Sequence, residues 1–172
     1  MTMKNEITKY RPCREAVEFR AQYNSFEAAW DACPRGDWML WIAYRLDVDH
    51  RKLILAKGLC AATVRHLMKD PRSIKAVKVA IAYGKGKASK KQLTAADADA
   101  DAADADAYDA AAAYDAAAAD ADAAYAAYAA AAAAADAADA AAAAAAVAAA
   151  ANRQETADIC RKVLTTEVLS KI

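Results

Sequence analysis

One tract of 57 residues, positions 95–151, is built almost entirely from alanine and limits what the chain can fold into. It contains 41 Ala, 11 Asp, 4 Tyr and a single Val, and it has neither Gly nor Pro. Alanine has the highest helix propensity of all residues, and the same composition disfavours strands. We therefore predict that this segment, called the Ala-rich tract below, is helical.

The length of the Ala-rich tract raises a geometric problem. A straight helix of this length would extend for roughly 85 Å at about 1.5 Å per residue, whereas a compact domain of this size has a radius of gyration of about 16 Å. We expect either two or three antiparallel helices or a projecting helix that finds a partner. The large side chains of the tract either fill gaps within a bundle or contact a ligand or partner; they are Tyr108, Tyr114, Tyr125 and Tyr128.

Helix boundaries are marked by capping patterns in the rest of the chain. A small polar residue followed three positions later by Glu or Gln predicts a helix start, and so does an Asp directly before Pro or before an apolar run. Gly84 is predicted to end a helix in the left-handed conformation. The predicted starts are Asn24 with Glu27, Asp37, Asp70 with Pro71, Ser89 with Gln92, and Asn152 with Glu155.

These patterns predict an all-α protein, a helical bundle of six to eight helices with a long Ala-rich antiparallel helical segment. We divide the chain into an N-terminal helical part at 1–88, the Ala/Asp/Tyr-rich helices at 89–151 and a C-terminal helix at 152–172. The C-terminal helix is expected to pack back on the N-terminal part, which makes one domain overall.

The charge is unevenly distributed although the formal net charge is zero. The Ala-rich tract carries 11 Asp and no Lys or Arg, so the remainder of the chain has a net charge of +11. The nearest anion available to the basic part is the tract of the same chain. Self-neutralisation is therefore one interpretation, and no direct binding of nucleic acid is expected.

Residues with catalytic or metal-binding chemistry are few. The two histidines, His50 and His66, are isolated, and the four cysteines form no CxxC pair, so we expect no metal, no cofactor and no enzymatic activity. Lys85 and Lys87, in the segment GKGKAS, either hold an anion beside a helix N-terminus or are solvated lysines of a connector. No apolar signal-peptide core or membrane span is evident, so we expect a cytoplasmic protein.

Four segments in order resemble the immunity-protein family found in bacteria and in phage genomes. They are AWDACPRGDWMLWIAYRL at 29–46, DPRSIKAVKVAIAYGKGKAS at 70–89, the Ala-rich tract, and ADICRKVL at 157–164. The resemblance covers most of the chain and rests on order and spacing. It implies a small protein that neutralises a toxin by binding it, and phage members would neutralise host defences instead.

The leading hypothesis is a non-enzymatic binding protein that acts in the cytoplasm, or in the host cytoplasm if the protein is phage-encoded. It would neutralise a toxin or defence system by sequestering a protein effector or a small nucleotide signal. We also expect a homo-oligomer, because an Ala-faced helix gains most from a second copy that packs close. The alternatives are a structural or ice-binding Ala-rich helix, and a nucleic-acid mimic that uses the Asp residues.

Overall fold

The computed structural model describes residues 7–67, 70–102 and 150–172, and within these ranges the protein is helical and contains no strand. The all-α prediction is confirmed. The four tyrosines of the Ala-rich tract lie outside the described residues. The α-helices are α1 (Arg14–Ala21), α2 (Phe26–Ala32), α3 (Gly36–Arg45), α4 (His50–Thr63), α5 (Pro71–Gly84), α6 (90–102) and α7 (150–169), with short 3-10 helices at Thr8–Tyr10 and Arg65–Leu67.

Two of the predicted helix starts are confirmed by their hydrogen bonds. The carboxylate of Asp70 accepts from the backbone N–H of Arg72 at 2.7 Å, with Pro71 in the first helical position of α5. The Ser89 hydroxyl accepts from the N–H of Gln92 at 3.2 Å, and the Gln92 side chain accepts from the N–H of Ser89 at 2.8 Å. This reciprocal pair is a capping box, which satisfies donors that a helix start leaves free.

The three other predicted starts are wrong. The N-cap of α2 is Ser25, one residue after Asn24, because the Ser25 hydroxyl accepts from the N–H of Ala28 at 3.0 Å. Asp37 lies inside the first turn of α3, where both of its oxygens bind the Arg35 guanidinium at 2.8 and 2.6 Å. Asn152 lies inside α7.

The Asn152 side chain has a tertiary partner instead of a capping role. Its amide nitrogen donates to the Thr63 hydroxyl at the end of α4 at 2.6 Å. Because α7 already runs through this position from residue 150, the capping pattern does not mark the beginning of the helix. The division at 1–88, 89–151 and 152–172 stays a prediction.

Helices α4 and α5 form an antiparallel pair that depends on two glycines. A Cβ atom on Gly58 would lie 3.0 Å from the Ile81 side chain, and one on Gly84 would lie 2.7 Å from the Leu55 Cα. A side chain at position 84 would force the two backbones apart, whereas one at position 58 would require only a small shift of Ile81. The glycines therefore permit a close approach of the helices, and this approach sets the position of the turn that follows α5.

The C-terminal helix α7 completes the hydrophobic core. Side chains that recur every three or four positions along α7 are fully buried, as expected for one face of an amphipathic helix. They pack against the buried side chains of α2, α3 and α4, among them Trp30, Met39 and Leu53. The buried residues of α7 are Ala157, Cys160, Leu164 and Val168, each with 0% exposure.

Polar contacts join α7 to the end of α2. The Trp30 indole N–H donates to the Thr165 hydroxyl at 2.9 Å. The Arg161 guanidinium donates to the carbonyl oxygens of Asp31 at 3.1 Å and Cys33 at 2.7 Å. The last carbonyls of a helix lack partners within the helix and carry partial negative charge, so a cation from another helix stabilises this end of α2.

We predict that Arg161→Met lowers the free energy of unfolding by about 1.5 to 3 kcal/mol, because it removes charge-assisted hydrogen bonds to the end of α2. Methionine keeps most of the length and apolar contact of the side chain. Chemical denaturation followed by circular dichroism measures the change. Lys162→Met is the matched control, since Lys162 is exposed on the same helix, and its effect should stay within about 0.5 kcal/mol. Equal losses in the two variants would contradict the proposed role of Arg161.

Candidate functional site

Of the predicted site residues, Lys85 and Lys87 lie within the described part of the chain, in the turn between α5 and α6. Both side chains are exposed. They share this region with Lys90 and Lys91, which are exposed in the first turn of α6. We call these four lysines, together with the turn between α5 and α6, the basic loop. Tyr108, Tyr114, Tyr125 and Tyr128 lie outside the described residues.

The turn of the basic loop is fixed by backbone hydrogen bonds. The N–H of Lys87 donates to the carbonyl of Ala82 at 2.7 Å, and the N–H of Gly86 donates to the carbonyl of Tyr83 at 3.0 Å. Gly86 is left-handed, with a φ of 73°. This pattern is a Schellman motif, in which a left-handed residue closes a helix and satisfies its last carbonyls. The turn therefore holds Lys85 and Lys87 on an ordered backbone.

Gly84 ends α5 as predicted, but the predicted reason is wrong. The left-handed residue is Gly86, two positions later, whereas Gly84 is the last helical residue. Glycine is required at position 84 because the α4 backbone at Leu55 passes too close for a Cβ atom. A sequence pattern alone does not distinguish these two uses of glycine, since the second depends on a neighbouring helix.

Tyr83 on α5 contacts two basic residues of α4, and these contacts join the basic loop to the rest of the fold. The Arg51 guanidinium donates to the carbonyl of Tyr83 at 2.7 Å and lies over the Tyr83 ring at 4.4 Å from its centroid. The His50 Nδ1 lies 3.3 Å from the Tyr83 hydroxyl. Sequence reasoning missed these contacts, because His50 and Tyr83 are distant in the chain and form no motif. They fix the end of α5 from which the basic loop begins.

The electrostatic character of the basic loop depends on the partners of its lysine side chains. Within the described part of the chain, none of its four lysines forms a salt bridge or a side-chain hydrogen bond. By contrast, the Lys75 ammonium on α5 lies 2.9 Å from the carboxylate of Asp99 on α6. The Lys75–Asp99 pair neutralises charge between the two helices, whereas the basic loop keeps its positive charge in solvent. It can therefore attract an anionic ligand or an acidic protein surface.

Cys60 on α4 and Cys160 on α7 are neighbours, and Cys33 at the end of α2 also lies near Cys160. The Cys160 thiol is fully buried and lies 3.6 Å from the carbonyl oxygen of Gly36. The Cys60 thiol lies 3.7 Å from the carbonyl oxygen of Thr156, one helical turn before Cys160. No group of three His, Cys, Asp or Glu side chains suited to holding a metal ion occurs among the described residues.

Hydrogen bonding and burial set the acidity of these thiols. The neighbouring Cys60 thiol and burial together raise the pKa of Cys160. The interaction with Cys160 has the opposite effect on Cys60 and lowers the pKa of its thiol. Burial also raises the pKa of Cys33. Because the thiolate is the reactive form of cysteine, Cys33 and Cys160 are the least reactive of the three.

No family model matches this chain, and neither the curated proteins nor the solved structures include a significant match. In the ranges that the structure describes, no helix is long and apolar enough to cross a membrane.

We predict an order of thiol labelling by N-ethylmaleimide near neutral pH. Cys13 is exposed and should react first, followed by the half-buried Cys60, whereas Cys33 and Cys160 should react only when the protein unfolds. Peptide mass spectrometry after timed labelling gives the order, and labelling in denaturant supplies the reference rates. Native labelling of Cys160 as fast as that of Cys13 would contradict the packing of α7.

Proposed function

We propose that this chain is a non-enzymatic binding protein that neutralises a toxin or a host defence system by sequestration. The resemblance to immunity proteins supports this proposal. The observation that carries it is the basic loop, in which Lys85 and Lys87 on a hydrogen-bonded turn and Lys90 and Lys91 at the start of α6 are exposed and form no ion pair with any described residue. Such a surface favours an anionic ligand, and among the expected ligands a small nucleotide signal fits best, because its phosphates bind exposed cations.

The basic loop supplies affinity through charge and through its position at a helix start. Lys90 and Lys91 belong to the first turn of α6, where free backbone N–H groups and the helix dipole favour an anion. Lys85 and Lys87 lie in the turn that directly precedes this helix start. Because these charges are exposed, salt should weaken binding, and the ligand should be held in solvent rather than enclosed.

The expected location and oligomeric state also belong to this proposal. A cytoplasmic location suits a protein that intercepts a soluble signal. The proposal also includes assembly into a homo-oligomer. The ice-binding and nucleic-acid-mimic alternatives concern the Ala-rich tract, most of which lies outside the described residues. A protein effector with an acidic surface is the other ligand that the basic loop would suit.

The test uses the full chain and a panel of linear and cyclic mononucleotides and dinucleotides, titrated by calorimetry. We expect at least one nucleotide to bind, and we expect Lys85→Ala combined with Lys87→Ala to weaken that binding by roughly tenfold or more. Raising the ionic strength should weaken binding by the wild-type chain more than by the double variant. The matched control combines Lys162→Ala with Lys171→Ala, two exposed lysines at the C-terminal end, and should retain the wild-type affinity.

Two results would contradict the proposal. One is catalytic turnover of any nucleotide in the panel by the purified chain. The other is nucleotide binding that the control pair weakens as much as the basic-loop pair does. If no nucleotide binds but an acidic protein effector is captured through the basic loop, sequestration stands and the assignment of a nucleotide is wrong.

A further inference from the structure

Cys60 on α4 and Cys160 on α7 form a pair of neighbouring thiols that the proposed function does not use. The Sγ atom of Cys60 lies 3.7 Å from the carbonyl oxygen of Thr156. Within α7 that carbonyl accepts from the N–H of Cys160, four positions later, at about 3 Å. The side chain of Cys160 tilts toward the N-terminus of its helix, and therefore toward the turn that carries Thr156. The packing of α4 on α7 thus brings the two sulfur atoms together.

The two other cysteines have different surroundings. The Cys33 thiol lies 3.6 Å from the carbonyl oxygen of Arg35, two positions later in the chain. Cys13 directly precedes α1 and is exposed. All four cysteines are free thiols. Because Cys33 is also buried near Cys160, it is the competing partner for a disulfide, whereas Cys13 is the reference for an exposed thiol.

The environments of the two neighbouring thiols suit them to different roles. Cys60 is half-buried, and its interaction with Cys160 lowers the pKa of its thiol. Cys160 is fully buried, and the Cys60 thiol and burial raise the pKa of its own thiol. Because the thiolate is the nucleophile, Cys60 is the sulfur that reacts with a small oxidant from solvent. Cys160 is shielded from solvent but lies where it can attack a group formed on Cys60.

We propose that Cys60 and Cys160 are a redox-active pair, which a peroxide converts into a disulfide that links α4 to α7. The bond would close a loop of about 100 residues, and closing a long loop limits the freedom of the unfolded chain. Because α7 completes the core, the oxidised protein should resist unfolding more than the reduced protein does. A thiol reductant would return the pair to its reduced form. This modification does not depend on the proposed function.

The oxidation proceeds in two steps. The Cys60 thiolate attacks one oxygen of hydrogen peroxide, the O–O bond breaks, and Cys60 becomes a sulfenic acid. The departing hydroxide takes up the proton that the Cys60 thiol released and becomes water. The Cys160 sulfur then attacks the Cys60 sulfur, the S–O bond breaks, and the oxygen leaves as a second water with the proton of the Cys160 thiol. The two thiols lose two electrons, and the peroxide is reduced to water.

The test exposes the full-length protein to a small molar excess of hydrogen peroxide near neutral pH. Digestion without reduction, followed by mass spectrometry, identifies the linked peptides. We expect a peptide pair joined through Cys60 and Cys160, which dithiothreitol separates. We also expect a higher midpoint of urea unfolding, which the same reductant reverses. A disulfide between Cys33 and Cys160, or oxidation of Cys60 to a sulfinic acid without any crosslink, would overturn the proposal.

Variants separate the attack on peroxide from the formation of the disulfide. In Cys160→Ser, Cys60 should stop at the sulfenic acid, so labelling of Cys60 with dimedone should be several-fold greater than in the wild-type protein. Cys60→Ser should form no crosslink and should leave Cys160 unoxidised while the protein is folded. Cys33→Ser is the matched control, because Cys33 is also buried near Cys160, and it should form the crosslink at the wild-type rate.

Far-UV circular dichroism shows whether each variant is folded. If Cys160→Ser does not fold, Cys160→Ala replaces it, since alanine keeps this buried position apolar. Equal dimedone labelling of Cys60 with and without the Cys160 thiol would overturn the proposal, because Cys160 would then have no part in removing the sulfenic acid. Loss of the crosslink in Cys33→Ser would overturn the assignment of the pair.

Discussion

The packing of α7 against α2, α3 and α4 is the interaction on which the rest of the structure depends. Its four fully buried side chains lie on one face and meet core residues that precede them by more than a hundred positions. Without this face, the apolar sides of α2, α3 and α4 would be exposed to water. The core is therefore complete only when the C-terminal segment has returned to the N-terminal part.

Close contact with α7 also explains why a glycine and several charged residues occupy their positions in the sequence. A Cβ atom on Gly36 would lie 2.7 Å from the Thr156 backbone, so glycine is needed where α3 meets α7. The Arg161 guanidinium satisfies carbonyls at the end of the short α2. The Lys52 ammonium on α4 lies 2.6 Å from the carboxylate of Glu167. Charged groups at the edge and small groups at the contact thus hold α7 in one position.

The sequence predicted those helix starts that depend on residues close together in the chain. It did not predict the contacts between residues that are distant in the chain. Asp70 with Pro71 and Ser89 with Gln92 act within one turn of chain, so their spacing was sufficient. The predicted helix start at Asn24 was wrong because the adjacent Ser25 caps the helix instead. The predicted start at Asn152 was wrong because its side chain binds Thr63 on another helix. The lysines at 85 and 87 were identified from the sequence, whereas the contacts of Tyr83 with Arg51 and His50, which fix the end of α5, were not. The burial of Arg20 at the end of α1 was not predicted, because burial depends on contacts with other parts of the fold.

Native-state hydrogen exchange tests most directly the claim that α7 is an integral part of the core. If α7 completes the core, the amides of 157–168 open with the same free energy as those in the middle of α4, because both are released only by global unfolding. Mass spectrometry of peptides from the two helices gives this comparison in one experiment. Exchange of α7 orders of magnitude faster than α4, while α3 and α4 remain protected, would show that the core forms without α7 and would contradict the account.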